Sequence, residues 1–338
     1  MRQIGFSLVL ASMVVAIGCN GDRALAPKTG HTGQSSDIPP EMLAAYTRIS
    51  LPGTDSVVAL NDSGDVVGAT ASGGVLWHGL AHERTTLPIV PAAIANDGTV
   101  AGSIDGHAAT WRNGHVTILD TATSVARAIC RCESATVVGS VQVDGITHAA
   151  IWVDGIRIDA GVPPNSKHAE FSSIATGFVV GNALVRMPDP QFGDSSNFEQ
   201  PFSWSPAGGW RPFESSSFTT VAAIVSLNAH GRGVGWGFCF CNHINSNEIF
   251  YDVAAGTVEG RFANPPFINI DPTGINDSDH VSANGEFDAG NGTSGRLPLI
   301  DGQVLPPGVL GDRTAGINTA GMVAGQSNGL PVLWVPNP

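Results

Sequence analysis

Lysine is nearly missing from this chain of 338 residues: Lys28 and Lys167 are the only two. With 16 Lys and Arg against 29 Asp and Glu, the net charge is -13, which argues against a nucleic-acid binder because phosphate affinity needs a basic surface. Long apolar runs are also missing beyond the first twenty residues, so no later segment reaches the ~20 residues that cross a bilayer. Catalytic signatures are lacking too, with no H-E-x-x-H, no phosphate-binding loop and no nucleophile set beside a base. The glycine-rich stretch Gly231 to Gly237 lies within a strand pattern and opens no helix, so a dinucleotide reading fails on context. These absences favour a protein that is not an enzyme and uses no cofactor. What the chain does have is 42 glycines, 22 prolines and 42 % hydrophobic residues, the profile of a globular, strand-rich protein with frequent turns rather than a disordered one.

Residues 1–19 (MRQIGFSLVLASMVVAIGC) combine a basic residue at Arg2, an apolar run from Ile4 to Ile17 and small residues before Cys19, as an export signal requires. Ala16-Ile17-Gly18-Cys19 resembles the lipobox of bacterial lipoproteins, which implies lipidation at Cys19. Asn20 stands where an inner-membrane retention signal would place Asp, so the resemblance implies an outer-membrane or cell-surface destination, with the membrane reached only through the lipid. Residues 20–44 are polar, rich in Pro, Gly and Ser, and read as a flexible tether.

From residue 45 onward the chain repeats itself. A small residue, an apolar residue and Asn-Asp-x-Gly-x-Val-Val-Gly recur most clearly at Ala59 to Gly68 and Ala93 to Gly102, more weakly at Ala128 to Gly139, Ser173 to Gly181 and Ile224 to Gly235, and again at Thr273 to Ala283 and Ala315 to Gly325. Each copy is followed by an apolar segment ending in an aromatic, among them Trp77, Trp111, Trp152, Trp204 and Trp334, and then by a further short segment. Each unit therefore reads as four short strands, a to d, and seven such units predict an all-β fold, a seven-bladed β-propeller of four-stranded antiparallel blades. The last unit stops after its third strand, while Tyr46 to Pro52 matches a fourth, so the N-terminal strand is expected to complete the last blade.

The units resemble the HAF family of extracellular repeats in Gly274-Ile275-Asn276, in Gly316-Ile317-Asn318 through Gly325, and in His107 to Trp111 and His148 to Trp152. The resemblance implies a secreted or surface propeller and carries no catalytic residues over.

Function is expected in loops held by a rigid scaffold. In an a-b-c-d blade the b-c loops share one face, and the longest, roughly 183–200, 236–248 and 284–295, belong to consecutive units. They are expected to form one rim holding Asp189, Asp194, Glu199, Trp236, His243, Asn245, Glu286, Asp288 and Asn291. Cys130 and Cys132, and Cys239 and Cys241, are candidates for local disulfides. Cys239, Cys241 and His243 alternate so that they could alternatively bind copper or zinc. The expected function is a monomeric binding module at the cell envelope that meets a surface polymer, a glycan or a protein partner. The alternatives are a propeller hydrolase or lyase using loop carboxylates, and a structural envelope protein without a ligand.

Overall fold

In the computed structural model the described residues are 38–53, 55–81, 83–131, 136–188, 195–213, 221–238, 247–261, 267–288 and 294–338. All lie in one compact unit, Gln34–Pro338. Strand β1 (Tyr46–Ser50) comes first. The first repeat forms β2 (Ser56–Leu60), β3 (Val66–Thr70), β4 (Gly73–His78) and β5 (Glu83–Leu87), and the second forms β6 (Val90–Ile94), β7 (Val100–Ile104), β8 (His107–Arg112) and β9 (His115–Ile118). Next come β10 (Ser124–Ile129), β11 (Val137–Val143), β12 (Ile146–Val153) and β13 (Ile156–Gly161), then β14 (Ser166–Ala175), β15 (Phe178–Pro188), β16 (Ser195–Ser205) and β17 (Gly209–Pro212). The fifth and sixth repeats give β18 (Val221–Leu227), β19 (Arg232–Phe238), β20 (Asn247–Asp252), β21 (Thr257–Arg261), β22 (Phe267–Ile275), β23 (Val281–Asp288), β24 (Ser294–Ile300) and β25 (Gln303–Val304). The last gives β26 (Arg313–Ile317), β27 (Val323–Ser327) and β28 (Leu330–Pro336).

The fold is a β-propeller of four-stranded antiparallel blades, but the expectation of seven blades is corrected by the hydrogen bonding. Five blades stand as separate four-stranded sheets, and the third and fourth repeats share a single eight-stranded sheet. The joint is the parallel pair Thr147 in β12 with His168 in β14. It arises because β14 is ten residues long and its first residues extend back to the preceding repeat. The chain ends meet as β1 pairs antiparallel with β28, from Tyr46 opposite Pro336 to Ser50 opposite Val332. Upstream of β1, Ile38, Met42 and Leu43 pack on the sixth-repeat core, and Ala44 donates its N–H to Val304. The end of the segment read as a tether is thus docked.

Motif residues explain the local structure. In the first turn Asn61 and Asp65 close a hairpin, the Asn61 Oδ1 accepts the Asp65 N–H, and Gly64 takes φ +82. Asn228, Asn276 and Asn318 repeat this arrangement, with Asp279 at φ +63 standing where the others have glycine. In these four turns the closing side chain is Asn; in the second repeat it is Asp97, whose Oδ1 accepts the Thr99 N–H. The freed Asn amide then bridges to the following repeat: Asn228 donates to the Asn276 carbonyl, Asn276 to Asn318, Asn318 to Asn61, and Asn61 to Ala95. Tryptophans reach the other way. Trp77, Trp152 and Trp334 are fully buried, and each Nε1 donates to a group at the end of the preceding repeat: the Pro52 carbonyl, the Asp120 carboxylate and the Pro306 carbonyl.

Inner strands β2, β6, β10, β14, β18, β22 and β26 contact one another in sequence, and β26 contacts β2, closing a circle. Every one carries a β-bulge at the same place, skipping Val58, Ala92, Arg127, Ser172, Val225, Thr273 and Ala315. Opposite the bulge stands the motif glycine. A Cβ at Gly68, Gly102, Gly139, Gly181, Gly235 or Gly325 would lie only 1.8–2.4 Å from an inner-strand carbonyl oxygen, which is why this position lacks a side chain. Ala283 is the exception, and its partner β22 carries a second irregularity between Phe267 and Asn269.

Candidate functional site

The circle of inner strands encloses a cavity of ≈ 290 Å³. Its walls follow from the repeat. The skipped bulge residues line it, as do the small residues one position on, Ala59, Ala93, Ala128, Ser173, Ser226, Gly274 and Gly316. The third level is the residue after the turn-closing position, at the mouth on the a-b turn side: Asp62, Asn96, Arg131, Thr176, Ala229, Asp277 and Thr319. Turn and packing positions repeat because the scaffold needs them, whereas this mouth position changes chemistry from one repeat to the next.

Mouth groups are tied together on one side. Thr319 donates its N–H and its hydroxyl to Asp62 Oδ1, and Asn96 Nδ2 donates to Asp62 Oδ2 at 2.7 Å. Arg131 reaches over the second repeat to place Nη1 3.5 Å from Asp62 and to donate from Nη2 to the Leu60 carbonyl. Burial pushes the Asp62 carboxyl up, but the Thr319 donors, the Arg131 charge and the Asn96 amide outweigh it and hold the carboxyl below its ordinary value. Deeper in the cavity Arg127 pairs with Glu170 at 3.1 Å. Among the described residues Asp277 accepts only the Ala229 N–H, at 2.7 Å. Cys130 lines the same cavity, is buried, and is disulfide-bonded. It occupies the place held in four other repeats by the bridging Asn.

A second perturbed group lies between the fourth and fifth repeats. Glu199 on β16 has its pKa pushed up to about 7 by burial and, secondarily, by the charge of Glu170. The hydroxyl of fully buried Tyr251 is raised by burial and by Glu199, and donates to the Ala223 carbonyl.

Of the predicted rim, Asp189, Asp194, His243, Asn245 and Asn291 lie outside the described residues, as do Cys19, Cys132, Cys239 and Cys241 and the signal segment. Trp236 is half-buried on β19, opposite Ala223 and Glu248. Glu286, on β23, accepts from Asn269 Nδ2 and stands opposite Arg296, and Asp288 ends the same strand. Much of what reads as loop in the sequence is paired strand, since the β15–β16 ladder continues to Pro188 opposite Ser195. In other repeats the b-c connections are two-residue turns, Asp105-Gly106, Asp144-Gly145 and Asn328-Gly329, with both residues at positive φ. Among the described residues no group of three or more His, Cys, Asp and Glu is placed to hold a metal. The mouth ring was missed because its signal is variation at one motif position, which a search for repeated residues passes over.

Comparison with known proteins supports the fold and goes no further. No protein-family model matches the chain, so the HAF resemblance stays a resemblance, and no curated protein matches it either. Among solved structures it is similar to the β-propeller domain of the trilobed protease from Pyrococcus furiosus, with 13 % identity over 84 % of this chain and 96 % of that one, TM-score 0.56. That domain is described as having an open velcro topology, whereas here β1 and β28 pair. The extracellular domain of a one-component system from B. thetaiotaomicron matches with 8 % identity over 86 % of this chain but only 39 % of that one, TM-score 0.51.

Proposed function

We propose that this protein is an exported binding module, anchored at the cell envelope through lipid on Cys19, that takes its ligand at the central cavity. One observation carries the reading: the scaffold positions recur around the circle, while the mouth position varies as Asp, Asn, Arg, Thr, Ala, Asp and Thr. Diversity on a rigid frame is what a recognition surface requires. The cavity is at the small end of ligand pockets, where ~300–1,000 Å³ is usual, so the cavity itself suits a small molecule or one residue of a surface polymer, glycan or protein partner. The rim of the opposite face, with Trp236 and Glu286, offers a second surface for a larger partner.

The test is thermal unfolding of the purified protein against envelope polysaccharides, peptidoglycan fragments and small amphipathic molecules, since a ligand of the native state raises Tm. Wild type is expected to shift with one class, and Ala92→Phe, which fills the cavity, to lose the shift. A shift equal in both proteins removes the cavity from the account. A hydrolase reading has one observation in its favour, the Glu199 carboxyl near pH 7 beside Glu170. It requires turnover that vanishes in Glu199→Gln, whereas the binding reading requires none.

A further inference from the structure

The charges around the cavity are not all paired. Arg127 is matched by Glu170 at 3.1 Å, and Arg131 by Asp62 at 3.5 Å with the Leu60 carbonyl as a second acceptor. Asp277 stands at the same mouth with a single backbone N–H and no cationic partner among the described residues. Its repeat equivalent Asp62 has three donors and a guanidinium around it, so the two carboxylates at one motif position are in opposite states, one saturated and one open. Below them, Val58, Ala59, Ala92, Ala93 and Ala315 make one wall of the cavity short and apolar. On the other wall the Ser172 hydroxyl is committed to the Ile224 carbonyl, and that of Thr273 to Ser282 and Thr314. The open polar demand at the mouth is therefore negative, and the space behind it accepts a short apolar body.

We propose that the cavity binds small organic cations, molecules that carry a primary ammonium or guanidinium on a short apolar skeleton, with the cationic head on Asp277. The inference rests on the reading of the cavity as the ligand site and names the class of ligand. A head at Asp277 replaces part of its hydration by a charge-assisted hydrogen bond, and the skeleton is covered by alanine and valine side chains. The carboxylate is at a wet mouth, so the ion pair contributes modestly, and discrimination of roughly three- to tenfold is expected.

Isothermal titration of the whole protein with n-hexylamine, n-hexanol and hexanoate measures this directly, because the three share a skeleton and differ in the charge of the head. Hexylamine is expected to bind with one site per chain, hexanol three- to tenfold more weakly, and hexanoate most weakly of all. Asp277→Asn keeps an oxygen for the Ala229 N–H and removes only the charge. It is expected to bring hexylamine down to the level of hexanol with Tm unchanged. Ala92→Phe, which fills the space, is expected to abolish binding of all three; should it fail to fold, the Asp277→Asn comparison still decides. Equal binding of amine and alcohol, a preference for hexanoate, or a hexylamine affinity indifferent to Asp277→Asn overturns the cation assignment while leaving the cavity as a ligand site. Failure of all three probes to bind overturns the assignment as well. Binding of all three that survives a folded Ala92→Phe overturns it together with the cavity reading.

Discussion

At the scale of single residues, Glu199 and Gly235 make claims that are independent of any ligand. Burial pushes the Glu199 carboxyl up to about 7 from an ordinary 4.5, so the folded protein keeps a proton that the unfolded chain releases. Raising the pH from about 4.5 to about 7 therefore ionises the unfolded state first and favours it, and the stability that this group confers at low pH is gone above 7. Glu199→Gln cannot ionise, so the variant is expected to be more stable than wild type at pH 8 by about 1–3 kcal/mol, and equal to it at pH 4. Urea unfolding at the two pH values checks this; a difference that does not change with pH contradicts the burial argument. At Gly235 an added Cβ would lie 1.8 Å from the Ala223 carbonyl oxygen, whereas at Gly260 it would meet nothing within 4 Å. Gly235→Ala is expected to cost about 3 kcal/mol or more and Gly260→Ala less than about 1, with unfolding midpoints as the readout.

At the scale of elements, hairpins are local and the joints between them are not. The turn Asn closes its own hairpin with Oδ1 and holds the next repeat with Nδ2. Asn318→Ala would leave the Met322 N–H and the Asn61 carbonyl each short of one partner in a buried setting, and a loss of about 1–3 kcal/mol is expected. Asn318→Asp keeps the acceptor for Met322 but sets a buried carboxylate oxygen against the Asn61 carbonyl, and is expected to cost at least as much as Ala at pH 7; a variant as stable as wild type would show the bridge to be idle. The four-strand units, the turns and the buried tryptophans were legible in the sequence because each depends on residues within ten or so positions. The bulges were not, since they show in the sequence only as a glycine on the facing strand. The merging of two repeats into one sheet was illegible for the same kind of reason: it depends on how far β14 extends before its ladder begins, and on one pair, Thr147 with His168. Rim loops were overestimated because residues 183–188 read as part of the loop, although this largely apolar segment continues the β15 ladder.

At the scale of the whole molecule, closure and the cavity are one fact. Strand β1 supplies the outer strand beside β28, Tyr46 donates its hydroxyl to the Gly321 carbonyl, and Arg48 bonds Ser327, so the two ends of the chain hold the circle whose centre is the cavity. The bridging amides run from the fifth repeat through the sixth and seventh to the second. The third repeat offers instead a disulfide-bonded Cys130 at the equivalent place. A frame of this kind keeps seven mouth side chains at set positions, which is the physical content of the claim that the mouth is a recognition site. The proposed recognition site therefore lies on the a-b turn side, opposite the long hairpins. The most direct test is the hexylamine-dependent Tm of wild type beside Asp277→Asn and Ala92→Phe, with the unliganded Tm of all three as the control for folding. The account predicts a shift in wild type that is smaller in Asp277→Asn and absent in Ala92→Phe; a shift of the same size in all three proteins would contradict it.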